Sequence, residues 1–96
     1  MAMVVTMLEA EVAPERAGDL ENAFARETAG PTPPGLVRSF LLHGPTWRIA
    51  TVWESREALE AMRSSGETPA GVRMFREAGA EPALSVFEVV AEFIAG

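Results

Sequence analysis

The 96-residue chain contains no cysteine, no lysine and no tyrosine, and only one histidine. Without cysteine it can form no disulfide, thiolate metal site or thiol nucleophile. Without lysine there is no Schiff-base chemistry, and without tyrosine no phenolic general acid. One histidine with no cysteine also argues against a protein-ligated metal centre, so neither metal nor cofactor is expected. All eight basic residues are arginine, against fourteen acidic ones, for a net charge of −6. That balance, with no basic stripe, repels phosphate backbones, and nucleic acid is not an expected partner. No apolar run reaches the roughly 18 residues of a membrane span, and no basic-then-apolar leader opens the chain. A cytoplasmic protein with no membrane partner is therefore expected.

At 48% hydrophobic and 23% charged residues, the composition is that of a folded domain, expected to be single over residues 1–96. Its most informative stretch is Thr46–Met62, TWRIATVWESREALEAM. Trp47, Ile49, Thr51 and Trp53 alternate with Arg48, Ala50, Val52 and Glu54, the period-2 pattern of a strand. Ser55 then supplies an N-cap oxygen, Glu57 places negative charge in the first turn, and Ala58, Leu59 and Met62 follow at helical spacing.

Met3–Val12 reads as a first strand, with Val4, Thr6, Leu8 and Ala10 on one face. Pro14 and Glu15 open a helix with Ala17, Leu20 and Phe24 as its apolar stripe, fading near Thr28–Gly30. Gly30–Gly35 (GPTPPG) is a rigid loop. Leu36–His43 is a second strand, reversed through Gly44 and Pro45 into the tryptophan-containing strand. Ser64–Thr68 breaks the chain before a short helix over Pro69–Ala78, ended by Gly79. Leu84–Phe93 is the last strand.

The order β-α-β-β-α-(α)-β predicts a ferredoxin-like α+β fold with a four-stranded antiparallel sheet. The pattern assigns Leu36, Phe40, Ile49 and Trp53 to one sheet face, and Val37, Leu41, Ala50 and Val52 to the other. Both are apolar, and two or three short helices cover only one. A homodimer with sheets packed face to face is the expected solution.

Pro34-Gly35 before strand two, the segment Ile49–Leu59 (IATVWESREAL) and this element order together resemble the antibiotic biosynthesis monooxygenase superfamily of dimeric α+β barrels. The segment Thr51–Ser55 (TVWES) is similar to the strand-to-helix junction of its haem-degrading and quinol-oxidising branches. The resemblance implies that Trp53 lines a cleft between sheet and helices. It implies a cofactor-independent monooxygenase acting on a small aromatic, quinol or polyketide-type substrate, or alternatively a non-catalytic dimeric binder of a hydrophobic small molecule. A haem-binding or haem-degrading relative is the remaining alternative. It is weakened because Met7-Leu8-Glu9 and Ala70–Arg76 lack the asparagine and histidine of that branch.

Pairing His43 with Thr46 across the hairpin places Arg38 opposite Thr51, and Leu36 opposite Trp53, on the helix-covered face. Arg38 then stands beside Trp53 as an anion partner for an enolate or phenolate, the two forming the expected catalytic pair. Leu36, Phe40, Thr51, Phe24, Met62 and Phe75 are the expected substrate-binding lining. His43 is expected to be exposed at the hairpin, Trp47 to be a packing or dimer residue, and Arg73 to be solvated but within reach of a cleft mouth.

Overall fold

Every strand of the sheet is tied to Trp47–Trp53 either directly or through one neighbour. The computed structural model describes residues 2–96. It contains β1 (Val4–Ala10), α1 (Ala17–Ala29), β2 (Leu36–His43), β3 (Trp47–Trp53), α2 (Arg56–Arg63), α3 (Ala70–Glu77) and β4 (Ala83–Glu88), with a 3-10 turn at Pro14–Arg16 leading into α1. The strands form one antiparallel sheet in the order β2-β3-β1-β4. This is the ferredoxin-like α+β arrangement that the element order predicts.

Local chemistry accounts for the element ends. Ser55 accepts a hydrogen bond from the Ala58 amide at 3.1 Å, starting α2 where the N-cap was expected. The Pro-rich loop closes on Gly35, whose φ of +85° is open to glycine and strained for other residues. Its carbonyl accepts from the Glu54 amide at 2.8 Å, tying the loop to the end of β3. A Cβ at Gly35 would stand 2.4 Å from the Ala58 Cβ, so the loop and α2 meet here without space for a side chain.

The helices cover one face through two separate apolar clusters. The larger joins Leu8, Ala10, Leu20, Ala23, Trp47, Ile49, Met74, Phe75 and Ala78 beneath α1 and α3. The smaller joins Val4, Trp53 and Leu59 beneath α2. Ion pairs between Arg26 and Glu77 (2.6 Å) and between Arg73 and Glu27 (3.4 Å) link α1 to α3.

The hairpin differs from expectation by one residue. His43 pairs with Trp47, leaving Gly44, Pro45 and Thr46 as the turn, so Ser39 faces Thr51, Phe40 faces Ala50 and Arg38 faces Val52. A bulge at Val37 absorbs the offset and returns Leu36 to Trp53. Because side chains alternate with period 2, one residue of slip sends Arg38 and Phe40 to the face away from the helices. There the Arg38 guanidinium carbon lies 5.9 Å from the Phe40 ring centroid, and Phe40 is 42% exposed. Leu41 moves the other way and packs against the larger cluster.

The last strand is shorter than predicted. Met3 gives its carbonyl to the Val89 amide at 2.9 Å, and beyond that point β1 offers no further partner. Residues 89–96 carry no regular structure, and Val90, Phe93 and Ile94 are exposed. Above β1, the outer sheet face carries Arg48 bonded to Glu9 at 2.8 Å, with the Thr46 hydroxyl donating to the same carboxylate at 2.6 Å.

Gly35→Ala should lower unfolding free energy by roughly 2–4 kcal/mol, through left-handed strain and overlap with Ala58, measurable by urea denaturation. A second expectation concerns acid. The Thr46 hydrogen bond, reinforced by Arg48, holds the Glu9 carboxyl below its ordinary value of 4.5. A carboxylate with a depressed folded-state pKa contributes stability above its unfolded pKa and loses it as pH falls through the folded one. The denaturation midpoint should therefore fall more steeply below pH 4.5 in the native chain than in Glu9→Gln.

Candidate functional site

Between the two apolar clusters the inward face of the sheet changes chemistry. Along β1 the inward residues are Val4, Thr6 and Leu8; along β3 they are Ile49, Thr51 and Trp53; along β2 they are Leu36, Ser39 and Leu41. Thr6 pairs with Thr51, and Thr51 pairs with Ser39, so three hydroxyl residues stand level across three adjacent strands. Burying a hydroxyl in an apolar core without a partner costs about 1–3 kcal/mol. Here Ser39 and Thr51 bond each other and Thr6 accepts from Trp53, and the core divides around them.

The division leaves a cavity of about 680 Å³. Thr6, Ser39 and Thr51 form its floor. Leu8, Ile49 and Met74 from the larger cluster close one end, and Trp53, Leu36, Ala58 and Met62 close the other. The loop residues Pro31–Pro34 and Glu67–Pro69 stand at its mouth. Gly71 brings the start of α3 down onto this wall: a Cβ there would lie 2.6 Å from Leu8 Cδ1. Trp53 is 3% exposed, and its indole Nε1–H donates to Thr6 Oγ1 at 3.2 Å. The Ser39 and Thr51 hydroxyls share a hydrogen bond of 3.0 Å. Among the described residues, no buried side-chain polar atom lacks a partner.

Charge is confined to the rim. Of the lining residues only Glu27, Glu67 and Arg73 are ionisable. Arg73 donates to the Thr68 carbonyl at 2.5 Å and stands 3.4 Å from both Glu27 carboxylate oxygens. That pair is long for a charge-assisted contact, whose usual range is about 2.7–2.9 Å. The floor is neutral, with no acid or base within it.

The structure gathers part of the expected site and disperses the rest. Trp53, Leu36, Thr51 and Met62 line the cavity. Arg38 and Phe40 do not, having turned to the outer face with the shifted register. Phe75 does not either; it is fully buried in the larger cluster, where Phe24 packs partly buried against the same group. His43 is exposed and stacks on Trp47 with ring centroids 4.0 Å apart, outside the lining. Thr6 and Ser39 join the floor without having been expected there. Their signal is a hydroxyl residue at the middle inward position of each strand, flanked two or three residues either side by apolar ones. Arg73 reaches the mouth, as its position on the third helix suggests.

Comparison with known proteins agrees with this architecture. The antibiotic biosynthesis monooxygenase family model matches residues 3–74, three quarters of the chain. The chain belongs to that family. No curated protein sequence matches it. Among solved structures it is similar to a point mutant of SnoaB, a cofactor-independent oxygenase from Streptomyces nogalater. The two are 20% identical with a TM-score of 0.69, over 94% of this chain and 95% of that one. It is also similar to the heme-degrader MhuD from Mycobacterium tuberculosis, solved with two hemes in its active site. Here identity is 27% and the TM-score 0.68, over 94% of this chain and 98% of that one. NE2512 from Nitrosomonas europaea, of unknown function, aligns over 100% of this chain and 97% of its own at 16% identity, with a TM-score of 0.71.

Two stability outcomes follow from a hydroxyl floor. Ser39→Ala combined with Thr51→Val should leave the thermal midpoint unchanged or raised, because removing both partners of a hydrogen bond in apolar surroundings is nearly neutral. Trp53→Ala should lower unfolding free energy by about 3–5 kcal/mol, since it opens the smaller cluster and strips Thr6 of its donor. Paired urea titrations measure both.

Proposed function

We propose that this protein is a cofactor-independent monooxygenase for a planar aromatic substrate held in the cavity between sheet and helices. One observation carries the reading: an apolar cavity of about 680 Å³ ends on a tryptophan and has no ionisable group on its floor. A site of that kind binds, orients and dries a ring system while the substrate supplies the electrons. Trp53 offers an end wall for the ring, Leu36 and Met62 flank it, and Thr51 offers a hydroxyl beneath it. Arg38, on the outer face, has no part in this reading.

The chemistry balances without a cofactor. A methylene between two aryl rings, made acidic by a carbonyl conjugated across the central ring, loses a proton to water at the cavity mouth. The carbanion passes one electron to dioxygen, and the radical and superoxide combine. The resulting peroxide, once protonated, loses water and leaves a carbonyl. In sum, CH2 and O2 give C=O and H2O. The likeness in family and fold to a protein described as a cofactor-independent oxygenase supports the reading.

The neutral floor also favours a second reading, a non-catalytic binder of the same class of molecule. Heme fits less well: among the described residues the lining offers no imidazole, and the single histidine is stacked on Trp47 away from it.

We also propose that the chain works as a homodimer joined through the outer sheet face. Val5, Met7, Ala50, Val52, Phe40, Leu42 and Phe87 share that face, and Phe87 is 54% exposed. A second copy would cover an apolar surface that the helices leave bare.

Oxygen uptake with anthrone-type substrates tests the enzyme. The expected result is stimulation well above the buffer rate, one labelled oxygen atom in the product and one in water, and at least a tenfold loss in Trp53→Ala, on the order of one misplaced substrate contact. Binding without uptake assigns the binder instead. Light scattering at micromolar concentration should give twice the monomer mass, and a monomer there refutes the dimer.

A further inference from the structure

We infer that the level hydroxyl row of Ser39, Thr51 and Thr6 is a donor strip that selects aromatic ligands bearing acceptor oxygens over those without them. The inference rests on the proposed binding cavity and assigns its polar specificity, with Thr6 oriented by Trp53.

Hydrogen counting carries the argument. An indole N–H can only donate, so Thr6 Oγ1 must accept the 3.2 Å bond from Trp53. One lone pair of Thr6 is thereby engaged while its own O–H remains to be given. Ser39 and Thr51 share one hydrogen between two oxygens at 3.0 Å. Whichever of them donates, the hydrogen of the other is left over. The floor therefore has two unspent O–H groups, one from Thr6 and one from the Ser39–Thr51 pair.

An unfilled cavity lets water take those hydrogens. A planar ligand that expels the water must replace it as acceptor, because a stranded donor in a dry site is costlier than a spare lone pair. A hydrocarbon ring would strand both donors, and a ring bearing amino groups would bring more donors to them. A ring with carbonyl or phenolate oxygens satisfies them.

Thr6 and Thr51 are direct partners on neighbouring strands, which lie about 4.8 Å apart. With the spare hydrogen on Thr51, two donors at that separation reach either one carbonyl oxygen, which has two lone pairs, or two ring oxygens. The rim ion pair of Arg73 and Glu27 lies outside this strip and does not enter it.

The test uses 1,4-naphthoquinone and naphthalene as probes, with dissociation constants measured by calorimetry on the whole chain. The absence of cysteine and lysine removes the usual quinone-reactive side chains. Thr6→Val should weaken naphthoquinone binding about 2- to 12-fold, the range of one net hydrogen bond, and change naphthalene binding less than twofold. Thr6→Ser, which keeps the hydroxyl, should restore it. If Thr6→Val does not fold, the Ser39→Ala/Thr51→Val double variant carries the same comparison. Equal effects on both probes, or none on either, overturn the donor strip while leaving the cavity intact. Failure of both probes to bind the native chain overturns the cavity reading, and the donor strip with it.

Discussion

Hydroxyls at the midpoints of three adjacent strands impose a constraint that the surrounding packing has to respect. Leucine, isoleucine and phenylalanine can press on such groups only at a cost of about 1–3 kcal/mol for each one left unpaired. In this domain the apolar side chains instead collect at the two ends of the sheet. Leu20, Met74 and Phe75 settle over one end; Val4, Trp53 and Leu59 settle over the other. The cavity is the space between two cores that do not meet, and its floor is polar because the strands are in register. Trp53 belongs to both arrangements, packing in the smaller core while its indole N–H reaches Thr6.

That alignment depends on how the β2–β3 hairpin is closed. A three-residue turn sets His43 against Trp47, and the same offset puts Ser39 against Thr51. Had the turn been one residue shorter, Arg38 and Phe40 would face the helices and Ser39 would face outward. The floor would then hold a guanidinium instead of a hydroxyl, and the site would be built for anions. The bulge at Val37 lets Leu36 still meet Trp53, so the wall near α2 is indifferent to the choice. One residue of register thus decides the polarity of the site without changing its outline.

The same dependence explains which parts are legible in the sequence. Strand and helix order is readable because alternation at Trp47–Trp53, the Ser55 cap and the GPTPPG loop are all local signals. The bounds of β2 and β3 follow directly from them. Leu36, Thr51, Trp53 and Met62 can be brought to one cleft because each belongs to an element whose inward face is marked by its own neighbours. Arg38 and Phe40 escape such reasoning because both faces of β2 are apolar, so its composition does not say which face is inward. Only the turn does, and Gly-Pro admits two lengths. Helical spacing draws Phe75 toward the cleft because it identifies a buried face without saying whether that face meets a cavity or a core. The C-terminal strand is over-extended for a related reason: Val89–Phe93 has strand-like residues, but pairing ends where β1 does.

A domain of this size buries only about two-thirds of the surface its unfolded chain exposes, so space withheld from packing is a substantial fraction of what stabilises it. Keeping a cavity open between two small clusters forgoes contacts that a single continuous core would have made. The outer sheet face offers the means of compensation. Phe40, Leu42 and Phe87 are large, exposed and on the side of the sheet away from the cavity. Apolar burial there would add stability at roughly 25 cal/mol per Å² without filling the site. The two faces then have separate tasks: the inner keeps a room lined by hydroxyls and tryptophan, and the outer, through a second copy, would supply the packing that the inner gives up. On this argument an apolar outer face and an incompletely packed inner face are two consequences of one arrangement, a cavity held open between two small cores.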